Sequence, residues 1–136
     1  MKPMKHSLHV LTLLTALATL PACQSDETLR GFSGDTSLWH LQEINGAAFP
    51  ARATLNFPEK GRLAGKAPCN RYFGTLEVPY PWFEARQIGV TKMACPDLAA
   101  EGLFFAALAE MTLSEVSGDT LILSNDAGQE MVFKAE

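Results

Sequence analysis

Cys69 and Cys95 are the side chains of this chain best placed for covalent chemistry, and that chemistry is a bond to each other. In an exported protein two leftover thiols most simply pair. A closed loop of about 26 residues would stabilise the fold by roughly 3–4 kcal/mol if the geometry is unstrained. Free buried thiols or a reactive thiol are the alternatives. A Cys–His pair would have to use His40, the one histidine after residue 22, and His40 reads as a strand residue beside Trp39. Four zinc ligands at the usual spacings are not present. Gly61-Arg62-Leu63-Ala64-Gly65-Lys66 approximates a phosphate loop, but it is one residue short between its glycines. Ala67 also stands where Ser or Thr must hold magnesium. Gly31-Phe32-Ser33-Gly34 lacks the spacing of a nucleophile elbow. Asp119 and Asp126 fall in turn sequences, where carboxylates cap backbone groups, so no calcium loop is read there. The expectation is a protein that is not an enzyme, with no cofactor and no metal.

Cys23 has a different chemistry. It follows Leu20-Pro21-Ala22 at the end of an apolar run, Val10 to Leu20, that Lys2 and Lys5 precede. A cationic start and a short apolar stretch have the layout of a secretory signal. The stretch is too short to span a bilayer, which needs about 20 apolar residues. Leu20 and Ala22 resemble the lipobox that directs acylation of the cysteine after it. Cleavage after Ala16-Leu17-Ala18, or an uncleaved anchor, are the rival readings. Acylation at Cys23 makes residues 1–22 a lipoprotein signal peptide and leaves 114 of 136 residues. Loss of Lys2 and Lys5 takes the formal charge from −4 to −6. Such an acidic chain repels phosphate backbones, so nucleic acid is not an expected partner. No block of Lys or Arg points to anionic lipid heads either. Membrane contact is expected through acyl chains, each buried CH₂ contributing about 0.8 kcal/mol. Gln24 is not aspartate, the usual inner-membrane retention residue, which favours the periplasmic face of the outer membrane.

The elements that must position these residues are mostly strands. Gln24 to Ser37 is polar and reads as a flexible tether, so residues 23–37 form a lipidated linker with a mean span of about 20 Å. Leu38 to Ile44 alternates as a strand, and Asn45-Gly46 is a turn because both residues tolerate positive φ. Ala53, Leu55 and Phe57 share one face of the next strand. Arg62 to Lys66 and Tyr72 to Val78 flank a corner at Ala67-Pro68-Cys69-Asn70. Phe83 to Val90 is a further strand, weakened by Gly89. Pro96 to Met111 reads as the one helix, with proline suited to the first turn and Asp97 and Glu101 complementing the dipole. Leu98, Phe105, Leu108 and Met111 recur at helical spacing, with Phe104 beside them. Thr112 to Val116, Thr120 to Ser124 and Glu130 to Lys134 close the chain as strands. The pattern predicts an α+β, mostly β fold: a curved antiparallel sheet or partly open small barrel with one packed helix over about 96–111.

Three segments together carry a resemblance. They are Trp39-His40-Leu41 with Ile44-Asn45-Gly46, then Gly65-Lys66-Ala67-Pro68-Cys69-Asn70-Arg71-Tyr72-Phe73-Gly74, then Thr91-Lys92-Met93-Ala94-Cys95-Pro96 with Glu101 and Leu108 after it. In this order, and with Gly118-Asp119-Thr120-Leu121-Ile122-Leu123 following, the chain resembles the META-domain family over Leu38 to Phe133. Bacterial members of that family include the HslJ-type heat-inducible envelope lipoproteins. The resemblance implies a compact domain over 38–136, export, and a link to envelope stress and tolerance of antibiotics such as novobiocin. It implies no known reaction and carries over no catalytic residue. The pairing of Cys69 with Cys95 rests on compartment and count, since many relatives have one of the two or neither.

The residues of the motif read as structural. Gly65 and Gly74 flank the Cys-Asn corner and allow close backbone approach, and Asn70 can cap the corner with its amide. Trp39, Phe57, Phe73, Trp82, Phe105 and Phe133 are expected in the core. Tyr80-Pro81-Trp82-Phe83 is the exception, because a proline-bounded aromatic turn can present Tyr80, Trp82 and Phe83 as a contact surface. Glu101 reads as a solvated or capping residue of the helix. The expected function is a non-enzymatic, lipid-anchored envelope protein that supports envelope integrity or stress tolerance by binding an envelope protein partner. The alternative is a module that holds a small apolar ligand in its curved sheet.

Overall fold

Alternating apolar residues and well-placed turns build most of this molecule, which we describe from a computed structural model covering residue 3, residues 25–34 and residues 37–136. Cys23 and the apolar run before it lie outside the described residues. Strand β1 (Trp39–Ile44) buries Trp39 and Leu41 and ends where Asn45 and Gly46 adopt φ of 52° and 77°. That turn returns the chain as β2 (Ala47–Ala48), and β3 (Thr54–Leu55) pairs with the start of β1. Ala53, Leu55 and Phe57 are all buried, as their alternation predicts. Then come β4 (Arg62–Lys66), β5 (Arg71–Thr75) and β6 (Arg86–Val90), which form a three-stranded antiparallel sheet in that order. Helix α2 (Leu98–Glu110) precedes β7 (Leu113–Ser117), β8 (Thr120–Ser124) and β9 (Glu130–Ala135). The second sheet is antiparallel, ordered β2-β1-β9-β8-β7, with β3 also on β1.

Isolated bridges tie the two sheets together. Asn56 and Ala64 exchange backbone hydrogen bonds of 2.8 and 2.9 Å, which ties β3 to β4. Trp82 bridges to Leu113 on β7. The result is α+β and mostly β with one main helix, as the sequence pattern predicts; the strands form two antiparallel sheets, and no closed barrel is present among the described residues. The interior is filled by Trp39, Leu55, Phe57, Tyr72, Phe104 and Phe133, each no more than 2% exposed. Phe104 reaches in from α2 and packs at 5.4 Å between ring centroids against Tyr72.

Several expectations from the sequence are corrected. The segment read as a flexible tether carries α1 (Leu29–Ser33), and this short helix is docked. Leu29 is fully buried, Tyr80 donates its N–H to the Glu27 carbonyl at 2.7 Å, and Arg30 Nε donates to the Phe57 carbonyl at 3.2 Å. Burial of one leucine stabilises by about 1.5–3 kcal/mol, enough to order a turn inside an otherwise polar stretch. Helix α2 falls where it is expected, within 96–111, but it turns Glu101, Phe104 and Leu108 inward and leaves Leu98 on its exposed flank. Strand β5 stops at Thr75 and β6 starts at Arg86, because the 76–85 segment leaves the sheet to bury Leu76 and Phe83.

Candidate functional site

The Cys-Asn corner is the most densely bonded part of the molecule. Cys69 and Cys95 form a disulfide with Cα atoms 5.6 Å apart, which links the β4–β5 corner to the loop before α2. Beside it, the buried Glu101 carboxylate accepts three hydrogen bonds: from Cys69 N–H at 3.1 Å, Asn70 N–H at 2.9 Å and Asn70 Nδ2 at 2.7 Å. Asn70 Nδ2 also donates to the Met93 carbonyl, and Asn70 Oδ1 accepts from Thr91 Oγ1 and from Met93 N–H. Both amide hydrogens and both oxygen lone pairs of Asn70 are thus used, the full capacity of that side chain. Glu101 is therefore no solvated residue, which corrects its reading from sequence. A signal did exist, since Glu101, Phe104 and Leu108 share one helical line, and a carboxylate on an apolar line needs buried donors.

Close approach explains two glycines of the motif. A Cβ at Gly65 would lie 2.0 Å from the Thr54 carbonyl oxygen and 2.7 Å from the Tyr72 hydroxyl. Tyr72 O–H donates to that same carbonyl, and burial pushes the phenol far above its ordinary value, so it stays a donor. A Cβ at Gly74 would meet the Arg86 carbonyl oxygen at 2.7 Å. Trp39 is buried, and its indole N–H has no partner among the described residues.

The aromatic turn is less of a surface than its sequence predicts. Phe83 is 2% exposed and belongs to the core. Tyr80 stacks on Phe32 of α1 at 4.3 Å, and its hydroxyl oxygen accepts from Val116 N–H. Only Trp82 of the three projects, at 57% exposure. Phe73 departs the other way: expected in the core, it is 59% exposed. Residue alternation decides this, because Tyr72 and Gly74 take the inner face of β5 and leave Phe73 outside, its ring laid over Gly89 on β6.

Phe73 marks the edge of a large hollow on the surface. This groove of about 1170 Å³ runs between the β4–β5 hairpin and the 51–56 segment with the start of β1. Arg52, Lys66 and Arg71 all line it and are all exposed. Lys66 and Arg71 are direct cross-strand partners in the β4–β5 register, so their side chains leave the same face of the sheet. Thr54, Asn56 and Ala64 also line the groove, as do His40 and Glu136, whose Nε2 and Oε2 are 2.9 Å apart. Sequence reasoning missed this site, because its cations are isolated in the chain and only pairing of strands collects them. A smaller, apolar recess of about 540 Å³ lies beside α2, between Ala48, Phe49 and Leu103. Among the described residues no three His, Cys, Asp or Glu side chains converge as metal ligands, and no helix is long and apolar enough to cross a membrane.

These features define a single α+β domain whose two bridged sheets clasp a helix and leave a cationic groove outside. The chain belongs to the META-domain family, whose profile matches residues 33–136. No curated protein matches the chain significantly. Among solved structures, it is similar to a protein from Burkholderia xenovorans determined by NMR, with 21% identity, a TM-score of 0.65, and coverage of 93% of this chain and 99% of that one. It is also similar to a crystal structure of a DUF4847-family protein from Bacteroides vulgatus, with 14% identity, a TM-score of 0.57, and coverage of 74% and 92%. At these identities the likeness establishes the fold alone.

Proposed function

We propose that this chain is a lipid-anchored, non-enzymatic protein of the bacterial cell envelope whose META domain works by binding. In this reading Cys23 is acylated, and the protein sits on the periplasmic face of the outer membrane. There it supports envelope integrity or stress and antibiotic tolerance by binding an envelope partner, in line with the resemblance to HslJ-type proteins. The observation that supports binding is the groove: the interior is filled, yet an open hollow of about 1170 Å³ holds three cations with no ion pair among the described residues. Docking of α1 adds a geometric consequence. Only residues 24–28 separate Cys23 from α1, a reach of at most about 20 Å, so the domain is held close to the bilayer.

A second reading keeps the small apolar ligand. Trp39, Phe57 and Phe133 occupy the space between the sheets, so such a ligand belongs in the apolar recess beside α2. The anchor is tested by fractionation of Cys23→Ser and by intact mass of the membrane-extracted chain. The proposal expects diacylglyceryl and acyl mass on a chain starting at Cys23, and release of the variant into the soluble fraction. An unchanged, acylated, membrane-bound species in the variant refutes it.

A further inference from the structure

We propose that the groove binds a phosphate ester with an apolar body, its phosphate held by Lys66, Arg71 and Arg52 and its body laid against Phe73. This deepens the binding reading above and rests on it only for the choice of surface. The cations of this sheet are paired unevenly. The outer face of the three-stranded sheet gathers Arg62, Lys66, Arg71 and Arg86, because Arg62 and Arg86 both oppose Thr75, while Lys66 opposes Arg71. The two outside the groove are neutralised: Arg62 Nε lies 3.8 Å from Glu59 and Arg86 Nε 2.9 Å from Glu84. The cations inside the groove, Lys66 and Arg71 with Arg52 across from them, carry no side-chain ion pair or hydrogen bond among the described residues. Fifteen acidic residues were available to a chain with a net charge of −4, and none of those described sits beside these three.

Strand register sets two of the cations against each other. Like charges directly opposite on two strands destabilise a sheet. Lys66 and Arg71 hold that position without a carboxylate between them, so the arrangement is unfavourable until an anion enters. A phosphate monoester carries a charge of about −1.5 to −2 near neutral pH and offers three acceptor oxygens. It can face the Arg71 fork and the Lys66 ammonium from separate oxygens. A single carboxylate would neutralise one of three charges. Among the described residues the groove's one acidic side chain, Glu136, is paired with His40 at 2.9 Å.

An aromatic ring lies next to the charges. Phe73 follows Arg71 by two residues on the same face, opposite Ala64, and it is 59% exposed at the rim of the groove. A bare ion would gain nothing from it, whereas an apolar or planar body would cover the ring. The chemistry fits a soluble phosphate ester and a phospholipid headgroup alike.

The test uses the full chain in neutral detergent micelles and follows backbone amide NMR signals. Hexyl phosphate, inorganic phosphate and hexanoate are the probes. Saturable shifts centred on Lys66 to Phe73 are expected with hexyl phosphate, and weaker ones with the other two probes. Arg71→Ala and Lys66→Ala should each weaken hexyl phosphate binding about tenfold or more. Arg62→Ala, a paired cation outside the groove, should stay within about twofold. Phe73→Ser should bring hexyl phosphate down to the affinity of inorganic phosphate. Arg71→Glu should abolish binding while leaving the melting temperature of the unliganded protein unchanged or raised, because it turns a repulsive cross-strand pair into an attractive one. Micelles doped with phosphatidylglycerol separate the sources: shifts of the same residues assign a lipid headgroup, and their absence with hexyl phosphate bound assigns a soluble ester. No saturable shift with either phosphate source overturns the proposal. So does equal weakening by Arg62→Ala and Arg71→Ala, or binding of hexanoate as tight as hexyl phosphate. None of these readouts needs the acyl chain, so failure of the anchor and failure of the groove are seen separately.

Discussion

Glu101→Gln is the sharpest perturbation this structure offers, because it removes a charge and reverses one donor while keeping the side-chain volume. The glutamine oxygen can still accept from Cys69 N–H and Asn70 N–H, the bonds of 3.1 and 2.9 Å. Its amide nitrogen must then face Asn70 Nδ2 across a contact of 2.7 Å, donor against donor. Asn70 cannot flip to accept, since its oxygen already takes Thr91 Oγ1 at 2.9 Å and Met93 N–H at 2.6 Å. Loss of one bond to a buried charge costs about 1.5–3 kcal/mol, and weakening of the other two to neutral bonds adds a few tenths to about 1 kcal/mol. The expected loss of stability is therefore about 2–4 kcal/mol. For a domain of this size that is a drop in melting temperature of roughly 10–20 °C, read by calorimetry on the oxidised protein. Asn70→Asp alone should also destabilise, by setting two carboxylates against each other. The double variant restores a donor–acceptor contact, so it should be more stable than the sum of the single effects by about 1–3 kcal/mol. A melting temperature for Glu101→Gln within about 2 °C of the parent, or strict additivity in the double variant, would refute the reasoning.

Three further outcomes follow from the same geometry. Reduction of Cys69–Cys95 should lower stability by roughly 3–4 kcal/mol, seen as an earlier thermal transition with reductant, whereas two titratable thiols in the oxidised native protein would contradict the bond. Gly65→Ala should cost about 3 kcal/mol, because its Cβ would displace the Thr54 carbonyl and with it the Tyr72 hydrogen bond, and an unchanged denaturant midpoint would argue against that contact. Burial raises the Asp26 carboxyl, but hydrogen bonds from the Thr28 hydroxyl and N–H, with Arg30 and Lys60 adding, hold it below its ordinary value of 3.8. A depressed carboxylate contributes stability that is present above its unfolded value and lost as pH falls through the folded one. Amide exchange at Leu29 and Tyr80 should therefore accelerate as pH drops below about 4, once corrected for intrinsic exchange, and Asp26→Asn should remove that dependence.

The strand and turn grammar of this domain was legible because it is local. Asn45-Gly46 turns the chain with positive φ at both residues, and Ala53, Leu55 and Phe57 all point inward, since alternation and turn chemistry act between near neighbours. The errors sit where a residue's surroundings come from elsewhere in the chain. Phe73 is central in β5 and Phe83 lies in the segment between β5 and β6, yet the first is outside and the second inside, which depends on where the core lies and not on the residue type. Leu29 is fully buried in a stretch whose composition is otherwise that of a linker, and the hydrogen bonds that hold this stretch come from Phe57 and Tyr80, some thirty to fifty positions later.

By itself the amino-acid sequence determined the mostly β class, the single main helix, the turns and the pair of cysteines that bond. Periodicity and local backbone preference are properties of consecutive residues. Tertiary structure alone decided that Glu101 is a buried acceptor, that α1 is docked, and that Arg52, Lys66 and Arg71 share one groove. Each of these depends on long-range register: antiparallel pairing of β4 with β5 sets Lys66 against Arg71, and the β3–β4 bridge brings the 51–56 segment alongside them. Isolated cations in an acidic chain become a charged site only when strands distant in sequence are aligned.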